Sequence, residues 1–497
     1  MRPLATGAAA TVATAVLIWF GTGLDPWWPL MWFAPLPVLC FALGAGPGGA
    51  ALAAGLAMIL GLFDLWGYLH GTLRMPPALL VRLYLVCGMA FALATLLFRG
   101  LARRKQYWSA LVAFPAFWVS FEWLQNLTAP HGTAGSLAYS QLRFLPFLQL
   151  ASITGPWGMT FLLCAFSAAL ALAIHLRSVA HAQAHRILGT TAAVVAVVLM
   201  FGTVRLLMPT GGTPVQVGLV AADGSNEFPA AAGAPADRLF EAYAGAVAQL
   251  AGQGAAVVVL PEKTAVVVDP DTGRVDEELE SLADRTHVQL VVGVLRLVPP
   301  GAGSPVRVGG GPVTVRYNEA RVYTPGAPVQ TYDKEHMLPP FESDLTPGTA
   351  LTLLRGRGGR ATWGVEICKD MDFTQLSRRY GEAGAGLMLV PAWDFFSDWI
   401  AHGHLAIMRG VESGFSVVRS AKGGSLFVSD DRGRLLAEVK SNSAPFSTLL
   451  VSVPQSHART LFLALGDWFA WVAVAILVIC LLRLAARGLG DSRPREG

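Results

Sequence analysis

The chain has 497 residues, 53% of them hydrophobic and 14% charged, with a formal net charge of +4. Soluble domains carry roughly 25% charged residues, so a wholly soluble globule is excluded. The basic excess is no argument for nucleic acid, because it is unevenly placed. Residues 1–208 hold 11 Lys/Arg and 3 Asp/Glu, residues 209–460 hold 22 and 27, and residues 461–497 hold 4 and 3. An apolar basic part is therefore followed by a polar acidic part and a short tail.

Apolar runs long enough for the roughly 20-residue crossing of a bilayer lie at about 5–23, 27–45, 47–67, 77–98, 107–125, 156–176, 187–207 and 461–482. The expected fold class is a polytopic helical membrane domain of seven spans over 1–208, an extracytoplasmic α/β domain over 209–460, and an eighth span with a tail over 461–497. Arg99, Arg103, Arg104 and Lys105 follow the fourth span, Arg177 and Arg186 the sixth, and Arg483 and Arg487 the eighth. All fall on one side, which the positive-inside rule makes the cytoplasm, with 209–460 outside. The first run also resembles a secretory signal, but its removal would break this parity.

Asp64 and Glu122 lie in or near spans, where a carboxylate is costly unless it faces protein or water. Each reads either as a polar group packed between helices or as part of a lipid or ion path. The partly apolar connection 131–156 reads as interfacial or re-entrant. The glycine run in 301–312 reads as a flexible loop, since it lacks the Lys-Ser/Thr and helix of a phosphate cradle.

Cys40, Cys87, Cys164 and Cys480 fall inside expected spans, which leaves Cys368 as the one cysteine of the acidic domain. With no partner for an intradomain disulfide, it has either a packing or a chemical role. ATWGVEICKDMDF (361–373) puts it at a strand end, and a thiolate needs a nearby cation and a base. Two other strand ends offer these groups: AAVVVLPEKT (255–264) carries Glu262, and VQTYDKEHMLPPFES (329–343) carries Lys334 and Glu342.

In this order and with these flanks, the three segments resemble the Glu-Lys-Cys triad of the nitrilase superfamily of carbon-nitrogen hydrolases. VPAWDF (390–395) and AIMRGVESGFSVVRSAKGG (406–424) are similar to the superfamily's strand, helix and strand after the nucleophile, with Arg409 and Glu412 as a structural pair. Seven spans before such a domain and one after it are similar to one branch, the bacterial apolipoprotein N-acyltransferases.

The resemblance implies an α-β-β-α sandwich at the outer face of the bacterial inner membrane, and a ping-pong acyl transfer. Glu262 would act as base, Lys334 as oxyanion stabiliser and Cys368 as nucleophile, while Glu342 would orient Lys334 or assist proton transfer. The implied partners are a phospholipid acyl donor and a diacylglyceryl-cysteine lipoprotein, taken up by a monomer that needs no cofactor and no nucleic acid. Phe341, Lys369, Asp370 and Trp393 are the expected substrate contacts. His402 and His404 suggest a metal, but their spacing is wrong for a shared helix face and no third ligand stands near them in the sequence, so none is expected.

The chain departs from the family where it has Lys369 and Asp370 after the nucleophile in place of Tyr and Glu. It also departs in VGLVAADGSNEF (217–228), and in Leu-Pro-Glu-Lys (260–263) where the family has Trp-Pro-Glu-Thr. Two alternatives stay open: a membrane-tethered amidase or nitrilase, and an inactive lipid-binding scaffold.

Overall fold

The structure, a computed structural model, describes residues 2–223, 229–299, 307–308, 311–312, 314–356, 359, 361–455 and 457–486. The expected loop at 301–312 and the end of the 217–228 stretch fall largely outside the described residues. The chain divides into two compact units, Met1–Leu207 with Leu465–Gly497, and Met208–Ala464.

In the helical unit, proline sits in the first turn of Trp28–Met31, Leu36–Gly44, Pro47–Leu62, Pro77–Arg103 and Pro156–Leu176. There it sacrifices no hydrogen bond and presets φ for the helix. Among the described residues six helices are long and apolar enough to cross a membrane: Leu4–Gly21, Pro47–Leu65, Pro77–Arg103, Pro156–Leu176, His181–Leu207 and Trp468–Ala486. The expected span at 27–45 is instead two short helices separated by the turn before Pro35. The expected fifth span is the less apolar helix Tyr107–Thr128, with Pro115 inside it. The expected eighth begins as Leu461–Leu465 and restarts at Trp468, after Gly466 takes a left-handed φ of 59°.

Glu122 resolves one of the two open sequence readings. Its carboxylate accepts from Trp118 Nε1 (3.0 Å), Ser136 Oγ (2.8 Å), the Leu137 amide (2.9 Å) and Thr160 Oγ1 (3.0 Å). It is packed between helices and satisfied there, as a buried carboxylate must be. The 131–156 connection contains three short helical turns, Leu137–Gln141, Leu145–Leu148 and Ala151–Thr154.

The second unit is built on strands β1 (Pro214–Ala221), β2 (Val257–Val259), β3 (Ala265–Val268), β4 (Gln289–Val298), β5 (Arg307–Val308), β6 (Gly311–Pro312), β7 (Val315–Tyr323) and β8 (Gln330–Asp333). They continue with β9 (Leu353–Arg355), β10 (Thr362–Val365), β11 (Ala385–Trp393), β12 (Ser416–Lys422), β13 (Ser425–Ser429), β14 (Leu435–Lys440) and β15 (Ser447–Pro454). One sheet runs β15-β1-β2-β4-β7-β8, with β3 also on β4, and the other runs β14-β13-β12-β11-β10-β9. β1, β2 and β4 are parallel in the first sheet, as are β10, β11 and β12 in the second.

Period-two side chains explain the layers. Val217, Leu219, Val257, Val259 and Val291 join Trp363, Val365, Leu387, Leu389 and Val418 in one core between the sheets. Their neighbours Val220, Val258, Leu290 and Val292 face the other way and pack on Phe240, Tyr243, Val247 and Leu250 of helix Ala234–Gly252. Helices Thr374–Glu382 and Ala401–Ser413 follow β10 and β11 in the second half, giving the expected α-β-β-α sequence of layers.

One irregularity positions the chemistry. β2 and β3 both pair with β4, at Val257–Val259 against Gln289–Val291 and at Ala265–Val268 against Val294–Leu297. Leu260 and Thr264 still donate to Val291 and Gly293 of β4, but residues 261–263 between them leave the sheet, and the Glu262 amide donates to the Ala392 carbonyl at the end of β11. Opposite this bulge stands Gly293, where a Cβ would lie 2.4 Å from the Pro261 carbonyl oxygen and 2.6 Å from Glu262 Cα. Gly293→Ala is therefore expected to destabilise this unit by about 2–4 kcal/mol, measured as a lower thermal midpoint of the purified protein.

Candidate active site

Three strand ends converge. Glu262 sits in the bulge after β2, Lys334 directly follows β8, and Cys368 lies just past β10 at the start of the turn Cys368–Asp372. Cys368 has a φ of 47°, a left-handed conformation that non-glycine residues adopt at a cost and that recurs at functional sites. Its Sγ lies 3.5 Å from the Trp393 carbonyl oxygen.

Lys334 is about 1% exposed, and so are Glu262 and Glu342. Its Nζ donates to Glu262 Oε1 (2.9 Å) and to Glu342 Oε2 (2.8 Å). Asn318 Nδ2 bridges the same two carboxylates, at 2.5 Å from Glu262 Oε1 and 2.8 Å from Glu342 Oε1. The Leu338 amide (2.9 Å) and Lys263 Nζ (2.5 Å) complete the shell of Glu342. Burial alone would lower the Lys334 pKa, but Glu262 and Glu342 hold it well above the usual lysine range. Burial would likewise raise Glu342, but Lys334 and Lys263 hold it well below the carboxylate range.

Both oxygens of Glu342 are thus occupied by donors, Lys334 among them. The hydrogen bonds to the Glu262 carboxylate all go to Oε1, so Oε2 makes none among the described residues. Burial pushes the Cys368 thiol well up and Glu262 adds to the rise, while Lys334 and Arg419 oppose it. The resting cysteine is therefore a protonated thiol beside a carboxylate with one free oxygen.

A second polar cluster lies on the other side of the cysteine. Arg419 donates to both oxygens of Asp394 (2.7 and 2.5 Å), and His402 Nδ1 meets Asp394 at 3.0 Å. His402 Nε2 is 3.5 Å from Asp372, to which Lys369 also donates at 3.1 Å. Sequence spacing showed no third ligand for His402, yet Cys368, Asp394 and His402 bring ligand atoms within 4.8 Å of one another. Asp394 is already engaged on both oxygens by Arg419 and on one by His402, which leaves it little capacity for a cation. Burial would lower the His402 pKa, but Asp372 and Asp394 raise it to about 10. His404 turns elsewhere, to Glu438 at 2.9 Å.

The expected substrate contacts divide. Phe341 is 38% exposed and packs on Phe395 at 5.4 Å, and Trp393 is flanked by Lys422 at 4.3 Å and Lys263 at 5.5 Å from its ring centre. Lys369 and Asp370 are buried and used inside the protein. Asp370 accepts from Tyr332 (2.8 Å) and from the His336 (2.8 Å) and Ile367 (3.1 Å) amides, which braces the nucleophile turn. Arg409 and Glu412 pair at 3.0 Å in the interior.

The sequence reading missed Asn318 and the Asp394-Arg419 pair. Alternation along VRYNEARVY puts Asn318 on the face of Ala320 and Val322, which join the inter-sheet core. A polar residue next to Ala320 on the same strand face was the available signal, weakened because Arg316 also shares that face. Asp394 and Arg419 carried none, because they meet only across the β11-β12 pairing.

Residues 229–452 match the model of the carbon-nitrogen hydrolases, the class that this sandwich and its glutamate, lysine and cysteine define. Residues 14–169 match the apolipoprotein N-acyltransferase N-terminal domain, and the chain belongs to the apolipoprotein N-acyltransferase family of that superfamily. It is 26% identical to the apolipoprotein N-acyltransferase of Geobacter metallireducens, over 90% of this chain and 89% of that protein. It is 23% identical to that of Gloeobacter violaceus, over 99% and 96%. An amidase from Nesterenkonia sp. of known crystal structure superposes with a TM-score of 0.41 at 19% identity, over 53% of this chain and 97% of the amidase.

The His402 proton has a thermodynamic consequence. Its native pKa of about 10 exceeds the ordinary 6.5, so the stability it contributes is fully present below pH 6.5 and is lost as pH rises towards 10. The thermal-midpoint difference between the native chain and His402→Gln is expected to be largest at pH 6 and to shrink by pH 9, as followed by thermal unfolding across that range.

Proposed function

We propose that this protein transfers an acyl chain from a membrane phospholipid to the α-amino group of diacylglyceryl-cysteine lipoproteins, through a thioester on Cys368. The observation that carries this reading is the buried Lys334, shared by Glu262 and Glu342 beside a protonated thiol, in a chain that also carries the helical domain of the acyltransferase family. Enzymes of this family are acyltransferases, and this chain is a multi-pass membrane protein.

In the first half-reaction, Glu262 Oε2 takes the thiol proton and the Cys368 sulfur attacks the carbonyl carbon of the phospholipid ester. Negative charge develops on the carbonyl oxygen, and Lys334, already placed and desolvated, stabilises it. The carbon-oxygen bond breaks, the lysophospholipid oxygen takes the proton back from Glu262, and the acyl group remains on sulfur. In the second, the acceptor amine attacks the thioester and Glu262 takes its proton, the carbon-sulfur bond breaks, and the leaving sulfur takes that proton from Glu262, which restores the thiol and the carboxylate. A buried site limits competing hydrolysis. Phe341 and Trp393 line the approach to the acyl group.

The Lys/Arg asymmetry supports eight crossings of the bacterial inner membrane with the catalytic unit on the periplasmic face. The amidase reading loses support because the acyltransferase relatives match along nearly the whole chain, helices included. The intact network around Lys334 weighs against an inactive scaffold.

The purified protein incubated with phospholipid is expected to gain an acyl mass on Cys368, seen by intact-protein and peptide mass spectrometry, and to lose it to a diacyl lipopeptide. Cys368→Ala forms no adduct, and Glu262→Gln slows adduct formation by on the order of 10²–10⁴. No adduct in the native chain sinks the mechanism, whereas an adduct that no lipopeptide discharges sinks only the acceptor.

A further inference from the structure

The helical unit contains a cavity that the acyl-transfer chemistry does not use. It has a volume of about 460 Å³ and lies where the turn before helix Tyr107–Thr128 meets the start of His181–Leu207 and the end of Trp468–Ala486. Ligand sites commonly measure about 300–1,000 Å³.

Its lining is cationic and polar. Lys105 and Arg483 supply two positive charges, and Gln106, Gln183 and Ser109 supply hydrogen-bonding groups. Arg483 Nη1 is held by Ser109 Oγ at 2.7 Å, so this charge has a set position. Gln106 Oε1 is buried with no hydrogen-bond partner among the described residues. Since the amide offers a donor or an acceptor on rotation, Gln106 has unused capacity at the cavity wall. Helix Tyr107–Thr128 starts at Gln106 without a side-chain cap, which leaves the partial positive charge of its first turn unneutralised.

Among the described residues no carboxylate lines the cavity. Residues 65–121 and 123–207 contain no Asp or Glu, and Glu122 is fully engaged about four turns along its helix. Tyr107 and Trp108 also line the site and are the residue types that sit at headgroup depth. Two cations, one of them held by Ser109, together with amides, a helix start and interfacial aromatics, and with no carboxylate among the described lining residues, suit a phosphodiester at the membrane surface.

We propose that this cavity binds the phosphate headgroup of an anionic membrane lipid, as a second lipid site built from residues other than those of the acyl-transfer network. It rests on the membrane insertion of the helical unit and not on the acyltransferase reading.

The test uses the full-length protein in non-ionic detergent with a dialkyl-ether phosphatidylglycerol, whose ether chains cannot serve as acyl donors. Its thermal midpoint is expected to rise by at least about 3 °C, increasing with lipid concentration, and to rise by less than half as much with ether phosphatidylcholine. Lys105→Gln alone is expected to reduce the rise, and K105Q/R483Q to remove at least half of it. R177Q/R186Q takes two charges from exposed positions that do not line the cavity, and is expected to keep the rise. K105R/R483K retains the charge and is expected to keep at least half. The proposal is overturned by an absent rise, an equal rise with phosphatidylcholine, a full rise in K105Q/R483Q or an equal loss in R177Q/R186Q. An equal rise with inorganic phosphate alone also overturns it, because a free anion would then fill the cavity.

Discussion

A single ammonium group organises the catalytic unit. Lys334 is buried between Glu262 and Glu342, and none of the three charges is tolerable there without the others. Asn318 and Lys263 tie the same carboxylates together, so the group behaves as one polar body. The group is asymmetric. Glu342 accepts on both oxygens, whereas among the described residues the donors to Glu262 all reach one oxygen, the difference on which the proposed proton transfer rests.

The sandwich brings these groups together by interrupting its own strands. β4 has room for two successive partners, and the residues between them are expelled towards the second sheet because Gly293 leaves space for a backbone at that point. Cys368 reaches the same place from the other sheet through a strained turn that Asp370 braces. Asp394, Arg419, His402 and Asp372 form a second cluster of paired charges, to which Lys369 also donates. Cys368 is buried near both clusters, where electrostatic interactions are weakly screened.

Much of this was legible beforehand, for reasons that differ by element. The apolar runs stood out because a bilayer demands about 20 consecutive apolar residues, yet 27–45 satisfied composition and still broke at a turn. Glu262, Lys334 and Cys368 were readable because their order and flanks resemble the triad of the nitrilase superfamily; as single polar residues at strand ends they carried little signal. Asp370 was misplaced as a substrate contact, since a polar residue beside a nucleophile looks the same in sequence whether it faces the ligand or ties down the loop. Asn318 left only the trace of a polar side chain beside Ala320 and Val322 on a strand face that Arg316 also shares.

By itself the sequence determined the division into an apolar basic part and an acidic one, the isolation of one cysteine in the latter, and the order of three strand-end groups. These are properties of composition and local periodicity, which a linear chain records directly. Tertiary structure decided that Glu342 pairs with Lys334, that His402 is a protonated partner of two aspartates, and that Lys105 meets Arg483 across a cavity. Each depends on groups from distant segments sharing one small volume, and the energy of a buried charge is set by the neighbours that folding assembles around it.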